Sequence, residues 1–75
     1  MKAIIDGKMY DTEKAECLGM TSIFHKLYIT QNGRFFLVNE DKQKIVSADH
    51  QAIMKRIGEV APDMYIELFG EVEEA

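Results

Sequence analysis

Apolar positions come in short, strand-length groups up to Val46 and fall at helical spacing from Ser47 onward. One short stretch near the start departs from this. Ala3-Ile4-Ile5 and Lys8-Met9-Tyr10 flank Asp6-Gly7. Asp-Gly suits a type I′ turn, where both central residues need positive φ. A hairpin over Lys2 to Tyr10 is predicted. Asp11 or Thr12 then caps a short helix through Glu13-Lys14-Ala15-Glu16-Cys17-Leu18, ended by Gly19 in the left-handed conformation. Two turns are marginal alone, so Ala15 and Leu18 must pack on something.

The strongest signal runs from Ser22 to Asn39. Ile23 to Thr30 and Phe35 to Val38 are rich in β-branched and aromatic residues, and Asn32-Gly33 stands between them. With Asn32 and Gly33 as a two-residue loop, Thr30 opposes Phe35, Ile29 opposes Phe36, Tyr28 opposes Leu37 and Leu27 opposes Val38. One face then carries Leu27, Ile29, Phe36 and Val38, the other Phe24, Tyr28, Phe35 and Leu37. A ribbon with one wet face alternates apolar with polar, and this one does not. Either other elements cover both sides, or the Phe24, Tyr28, Phe35, Leu37 face stays open to a protein partner or a second copy. A chain of 75 residues has little material to cover both.

Further on, Glu40-Asp41-Lys42-Gln43 reads as a turn and Lys44-Ile45-Val46 as a brief strand. Ser47 is the expected N-cap of a helix from Ala48 to about Gly58. Val46, His50, Ile53, Ile57 and Val60 share one face, with Met54 beside them. Ala61-Pro62-Asp63 opens a second helix, with proline at its first position and an acid near the N-terminal dipole. Tyr65, Leu68, Phe69 and Val72 form its apolar stripe, and Gly70 either stops it or is crossed by a fraying tail. The expected fold is a single α+β domain over residues 1–75. It has a small antiparallel sheet with hairpins at Asp6-Gly7 and Asn32-Gly33, a short N-terminal helix and two C-terminal helices.

Composition narrows the function classes. The longest apolar run is the four residues Phe35 to Val38, too short for a membrane helix. Cys17 is the only cysteine, so no internal disulfide forms, and a reducing cytoplasmic setting is expected. One cysteine and two distant histidines, His25 and His50, give no ligand spacing for a metal, and no cofactor motif is present. Asp6-Gly7-Lys8 and Asn32-Gly33-Arg34 are hairpin tips and lack the glycine content and following helix of a phosphate loop. His25 is expected to oppose Glu40 as a surface pair, His50 to sit at the core edge and Cys17 to pack as a small apolar residue. No catalytic constellation emerges, and an enzyme is not expected.

Net charge is −4, unevenly placed. From residue 63 on, Asp63, Glu67, Glu71, Glu73 and Glu74 stand without any lysine or arginine, while the other 62 residues carry nine basic and eight acidic side chains. Such an end is either a solvated face or a dock for a basic surface, including one that normally holds nucleic acid. Direct nucleic-acid binding is the lesser expectation, because phosphate contacts call for clustered lysine and arginine. It would draw on Lys26, Lys42, Lys44, Lys55 and Arg56.

The string Ile5-Asp6-Gly7-Lys8-Met9-Tyr10-Asp11-Thr12-Glu13-Lys14-Ala15-Glu16 resembles the G-K-x-Y-D-T-x-x-A opening of a family of small, largely uncharacterised bacterial proteins. Leu27 to Leu37 resembles that family's L-Y-x-T-x-x-G-x-x-F-L hairpin, and Phe69-Gly70-Glu71 its frequent ending. The family is often found on phages, plasmids and conjugative elements. The resemblance implies a protein that acts by binding, including inhibitors of host defence of the anti-CRISPR type. It transfers no site residues. The expected function is a non-enzymatic module that binds a protein partner, a host nucleic-acid-binding complex among them, or self-associates. Its candidate surfaces are Phe24, Tyr28, Phe35 and Leu37 on the hairpin, and Glu67, Glu71, Glu73 and Glu74 at the acidic end. The alternative is a small nucleic-acid-binding regulator or an accessory protein of element transfer.

Overall fold

The chain opens on the expected hairpin. In the computed structural model, which describes residues 1–75, β1 (Lys2–Ile5) pairs antiparallel with β2 (Lys8–Asp11). Asp6 (φ 51°) and Gly7 (φ 74°) both take the positive φ that a type I′ turn requires. The open end is closed by the Thr12 amide, which donates to the Met1 carbonyl at 3.0 Å.

The predicted N-terminal helix is not formed. Residues 16 to 22 are instead β3 (Glu16–Ser22), an edge strand paired with β4 (His25–Ile29). The Asp11 carboxylate accepts from the Glu13 amide at 3.0 Å, which makes a local turn rather than a helix start. Six residues with only two apolar contacts hold a helix weakly, whereas a strand here satisfies the free edge of β4. Gly19 is not a helix cap. At φ 127° it sits where the pairing slips between Cys17 and Gly19, and a second irregularity separates Met20 from Ser22. Cys17 is exposed rather than packed.

Asn32-Gly33 is a turn, but its loop has three residues. The Gly33 amide donates to the Thr30 carbonyl at 3.0 Å and the Thr30 amide to the Arg34 carbonyl at 2.8 Å. The Thr30 hydroxyl also accepts from the Arg34 amide at 3.0 Å. Gly33 alone has positive φ (85°), the pattern of a type I turn followed by a glycine bulge. The register of β4 with β5 (Phe35–Asn39) therefore slips by one residue: Ile29 opposes Phe35, Tyr28 opposes Phe36 and Leu27 opposes Leu37. A slip of one exchanges the faces of one strand relative to its partner. Leu27 and Leu37 now share a side, and Tyr28, Phe36 and Val38 share the other. β6 (Lys44–Ser47) completes a four-stranded meander in the order β3-β4-β5-β6.

Both faces of this sheet are covered. Leu27, Leu37, Ile53 and Ile57 form the helix-side core, joined by Leu18, Phe35, Met64, Tyr65, Leu68 and Phe69. Tyr10, Phe36 and Val38 form the second core, joined by Ile5, Ala15, Tyr28 and Ile45 under the N-terminal hairpin.

The first C-terminal helix, α1 (His50–Val60), begins two residues later than predicted. Ser47 is still in β6, and Asp49 is the N-cap, its carboxylate accepting from the Ala52 amide at 2.9 Å. Only Ile53 and Ile57 of the expected stripe are buried; Val46, His50 and Val60 are exposed. Val46 lies in β6 ahead of the helix, and Val60 is the last residue of α1, next to the Ala61 junction. Ala61 donates its amide to the Ile57 carbonyl at 2.8 Å and also precedes α2 (Pro62–Phe69). Gly70 (φ 101°) stops α2, its amide donating to the Ile66 carbonyl at 2.9 Å. Val72, placed on the helical stripe by its spacing, lies beyond the helix and is exposed.

Thr21 is buried (5% exposed), and its hydroxyl has no protein group within hydrogen-bonding reach. Thr21→Val keeps the branched shape and removes that hydroxyl, so it is expected to stabilise by about 1 kcal/mol. A thermal melt should then rise by about 4–8 °C. A lower melting temperature would show that the hydroxyl is bonded in solution.

Candidate functional site

The register slip takes the expected hairpin surface apart. Leu37 is 2% exposed in the helix-side core. Phe35 packs on the same side, edge-on to Phe69 at 5.4 Å between ring centroids. Tyr28 lies on the opposite side, stacked on Phe36 at 5.3 Å, and burial pushes its phenol above the ordinary range. Phe24, in the β3–β4 turn, is the one of the four that is exposed, next to Ile23. The aromatic residues thus serve two cores.

The histidine–carboxylate pair is also displaced. His25 opposes Asn39, and Glu40 instead bonds Lys26, Oε1 to Nζ at 2.7 Å. The hydrogen bond between them raises the Lys26 ammonium and lowers the Glu40 carboxyl from their usual ranges. Both groups are solvated, so the pair adds little to stability.

Glu67, Glu71, Glu73 and Glu74 are all exposed. The helices α1 and α2 enclose an open groove of about 460 Å³. Gln51, Met54, Lys55 and Gly58, at spacings of three, four and seven, supply its α1 wall. Pro62, Tyr65 and Ile66 supply the α2 wall, and Val72 closes one end. The Tyr65 ring lies close over α1 at Gly58, where an added Cβ would stand 3.5 Å from it, an ordinary van der Waals contact. Ile66 (37%) and Val72 (59%) remain exposed, and Lys55 is the one charged side chain that lines the groove.

A smaller cavity of about 320 Å³ lies between the sheet and the other side of α1, lined by His25, Leu37, Val46, Ser47, Ala52, Ile53 and Arg56. Its polar wall is a cluster that no local pattern announces. The Ser22 hydroxyl and Arg56 Nη2 lie 2.9 and 3.3 Å from His25 Nδ1, and because a guanidinium only donates, Nδ1 is the acceptor from Arg56. With Nδ1 accepting, the ring proton resides on Nε2. Burial, and then the Arg56 charge, hold the His25 pKa below its ordinary value. His25 and Arg56 are 31 positions apart, and only the packing of α1 on the sheet brings them together.

No group of three or more histidine, cysteine, aspartate or glutamate side chains is arranged to hold a metal ion. No helix is long and apolar enough to cross a membrane. No protein-family model matches the chain, and neither a curated protein nor a solved structure matches it significantly.

Proposed function

We infer that this chain is a non-enzymatic binding module that engages a protein partner through its acidic C-terminal end and the adjoining α1–α2 groove. The observation behind this reading is that Glu67, Glu71, Glu73 and Glu74 stand exposed in the same C-terminal stretch whose Ile66 and Val72 line a partly apolar groove. Acidic surfaces steer and orient basic partners, and an apolar groove supplies the burial that charge alone does not. Basic grooves that hold nucleic acid are natural targets for such a surface. The resemblance of Gly7-Lys8-Met9-Tyr10-Asp11-Thr12 and of the Leu27–Leu37 hairpin to proteins of mobile elements gives this a concrete form. In that form the chain is a cytoplasmic inhibitor of a host nucleic-acid-binding defence complex, of the anti-CRISPR type. The alternative, a nucleic-acid-binding regulator or transfer accessory protein, has less behind it because Lys26 is committed to Glu40.

The test is plasmid interference in CRISPR-competent cells expressing the chain in soluble form. Wild type is expected to relieve interference, and the Glu67, Glu71, Glu73 and Glu74→Gln combination to restore it while folding normally. Undiminished interference with wild type would overturn the inhibitor form. A gel shift that weakens steeply with salt would move the assignment to nucleic acid.

A further inference from the structure

We propose that the cavity between the sheet and α1 is a binding site for an apolar monocarboxylate, its carboxylate held at the mouth by Arg56 and its body resting on Val46 and Ala52. The proposal is independent of the acidic-end reading and concerns the opposite side of α1. Four observations carry it.

First, Arg56 has no acidic partner, since the one ion pair of the molecule joins Lys26 and Glu40. Of its five N–H donors, one group is spent on His25 Nδ1 at 3.3 Å. That contact orients the guanidinium without neutralising it. Second, the remaining polar groups of the wall are donors with nothing to bond. The His25 Nε2–H has no protein acceptor, and the Ser47 hydroxyl is engaged only as an acceptor, from the Asp49 amide at 3.4 Å. Third, no carboxylate lines the cavity. A guanidinium, an imidazole N–H and a hydroxyl with no acid among them form the donor set of an oxyanion site. Fourth, the accessible part of the apolar floor is Val46, 39% exposed, and the exposed Ala52, beside the buried Leu37 and Ile53.

The floor decides among anions. Inorganic phosphate would fill the mouth and leave the apolar surface wet. A carboxylate matches the planar guanidinium in a bidentate arrangement, and an attached aliphatic or aromatic group covers the floor. A volume of about 320 Å³ is at the small end for ligand pockets, enough for a short acid or one terminal residue of a peptide. Both sources present the same chemistry, a carboxylate next to an apolar side chain.

The experiment is an NMR titration of the full chain, following the amides of Ser47, Ala52 and Ile53. The probes are 4-methylpentanoate, 4-methylpentanamide, and the peptide Ala-Ala-Ala-Leu with a free or an amidated C-terminus. Saturable shifts with the acid but not its amide are expected. Arg56→Gln, an exposed substitution, is expected to weaken binding about tenfold or more through loss of the charge-assisted pair, while Lys2→Gln, an exposed change on the N-terminal hairpin, leaves it within about twofold. If the free-terminus peptide binds more tightly than the small acid, the site reads peptide C-termini; if only the small acid binds, the ligand is a free metabolite-sized acid. No saturable shift with either carboxylate, equal binding of acid and amide, or unchanged binding by Arg56→Gln would each overturn the proposal.

Discussion

Phe36→Ala is expected to cost about 3–5 kcal/mol, the usual range for deleting a fully buried aromatic ring. Seventy-five residues hold a total of roughly 4–11 kcal/mol, so this single change removes much or all of the margin. Phe36 is 0% exposed and stands between two rings, edge-on to Tyr10 at 5.4 Å and stacked on Tyr28 at 5.3 Å. Tyr10 belongs to the N-terminal hairpin and Tyr28 to the main sheet. Phe36 is therefore the middle layer through which a two-stranded ribbon, marginal alone, is held on the four-stranded sheet. Urea denaturation should show a collapse of the midpoint, with Phe36→Leu much milder because it retains apolar volume. A loss below about 1 kcal/mol would show that the hairpin is anchored elsewhere.

Gly19→Ala carries the second large effect, about 1–3 kcal/mol, and here the backbone rather than a cavity is responsible. At φ 127° an alanine is strained whatever space surrounds it. Its Cβ would also stand 3.3 Å from Met64 Cε, the end of a flexible side chain that yields by a few tenths of an ångström. Gly33→Ala is the comparison, since φ there is 85° and nothing lies within 4 Å of the added carbon. Denaturation midpoints of the two variants are expected to place Gly19→Ala lower. The reverse order would mean that the β3 irregularity relaxes freely.

What could be read from the chain divides by how local the deciding interaction is. Asp6-Gly7 was legible because both turn positions carry residues that accept positive φ. Asn32-Gly33 was legible as a turn but not as a loop length, because the pair serves equally a two-residue loop and a three-residue loop with a bulge. The Thr30 hydroxyl bond to the Arg34 amide closes the longer one. That single residue of loop length reassigned Phe35 and Leu37 to the helix side and dissolved the four-residue hairpin surface. The stretch Glu13 to Leu18 has good local helix formers, yet pairing with β4 outweighs them, since a strand there completes hydrogen bonds that six isolated helical residues cannot hold. The exposed acids were plain from composition. The Ser22–His25–Arg56 cluster was not, because no spacing rule links a strand residue to a helix residue 31 positions away.

Ala61 both ends α1 and begins α2, and α2 has no fully buried side chain of its own. Held on the helix-side core only by the half-buried Met64, Tyr65, Leu68 and Phe69, α2 is an element able to undock while the four-stranded sheet stays intact. Its undocking would remove one wall of the α1–α2 groove and loosen the cover over Phe35. Occupancy of the groove and closure of α2 are then linked, and a ligand that binds only the closed groove slows amide exchange in residues 62–69 by an amount that grows with its concentration relative to its dissociation constant.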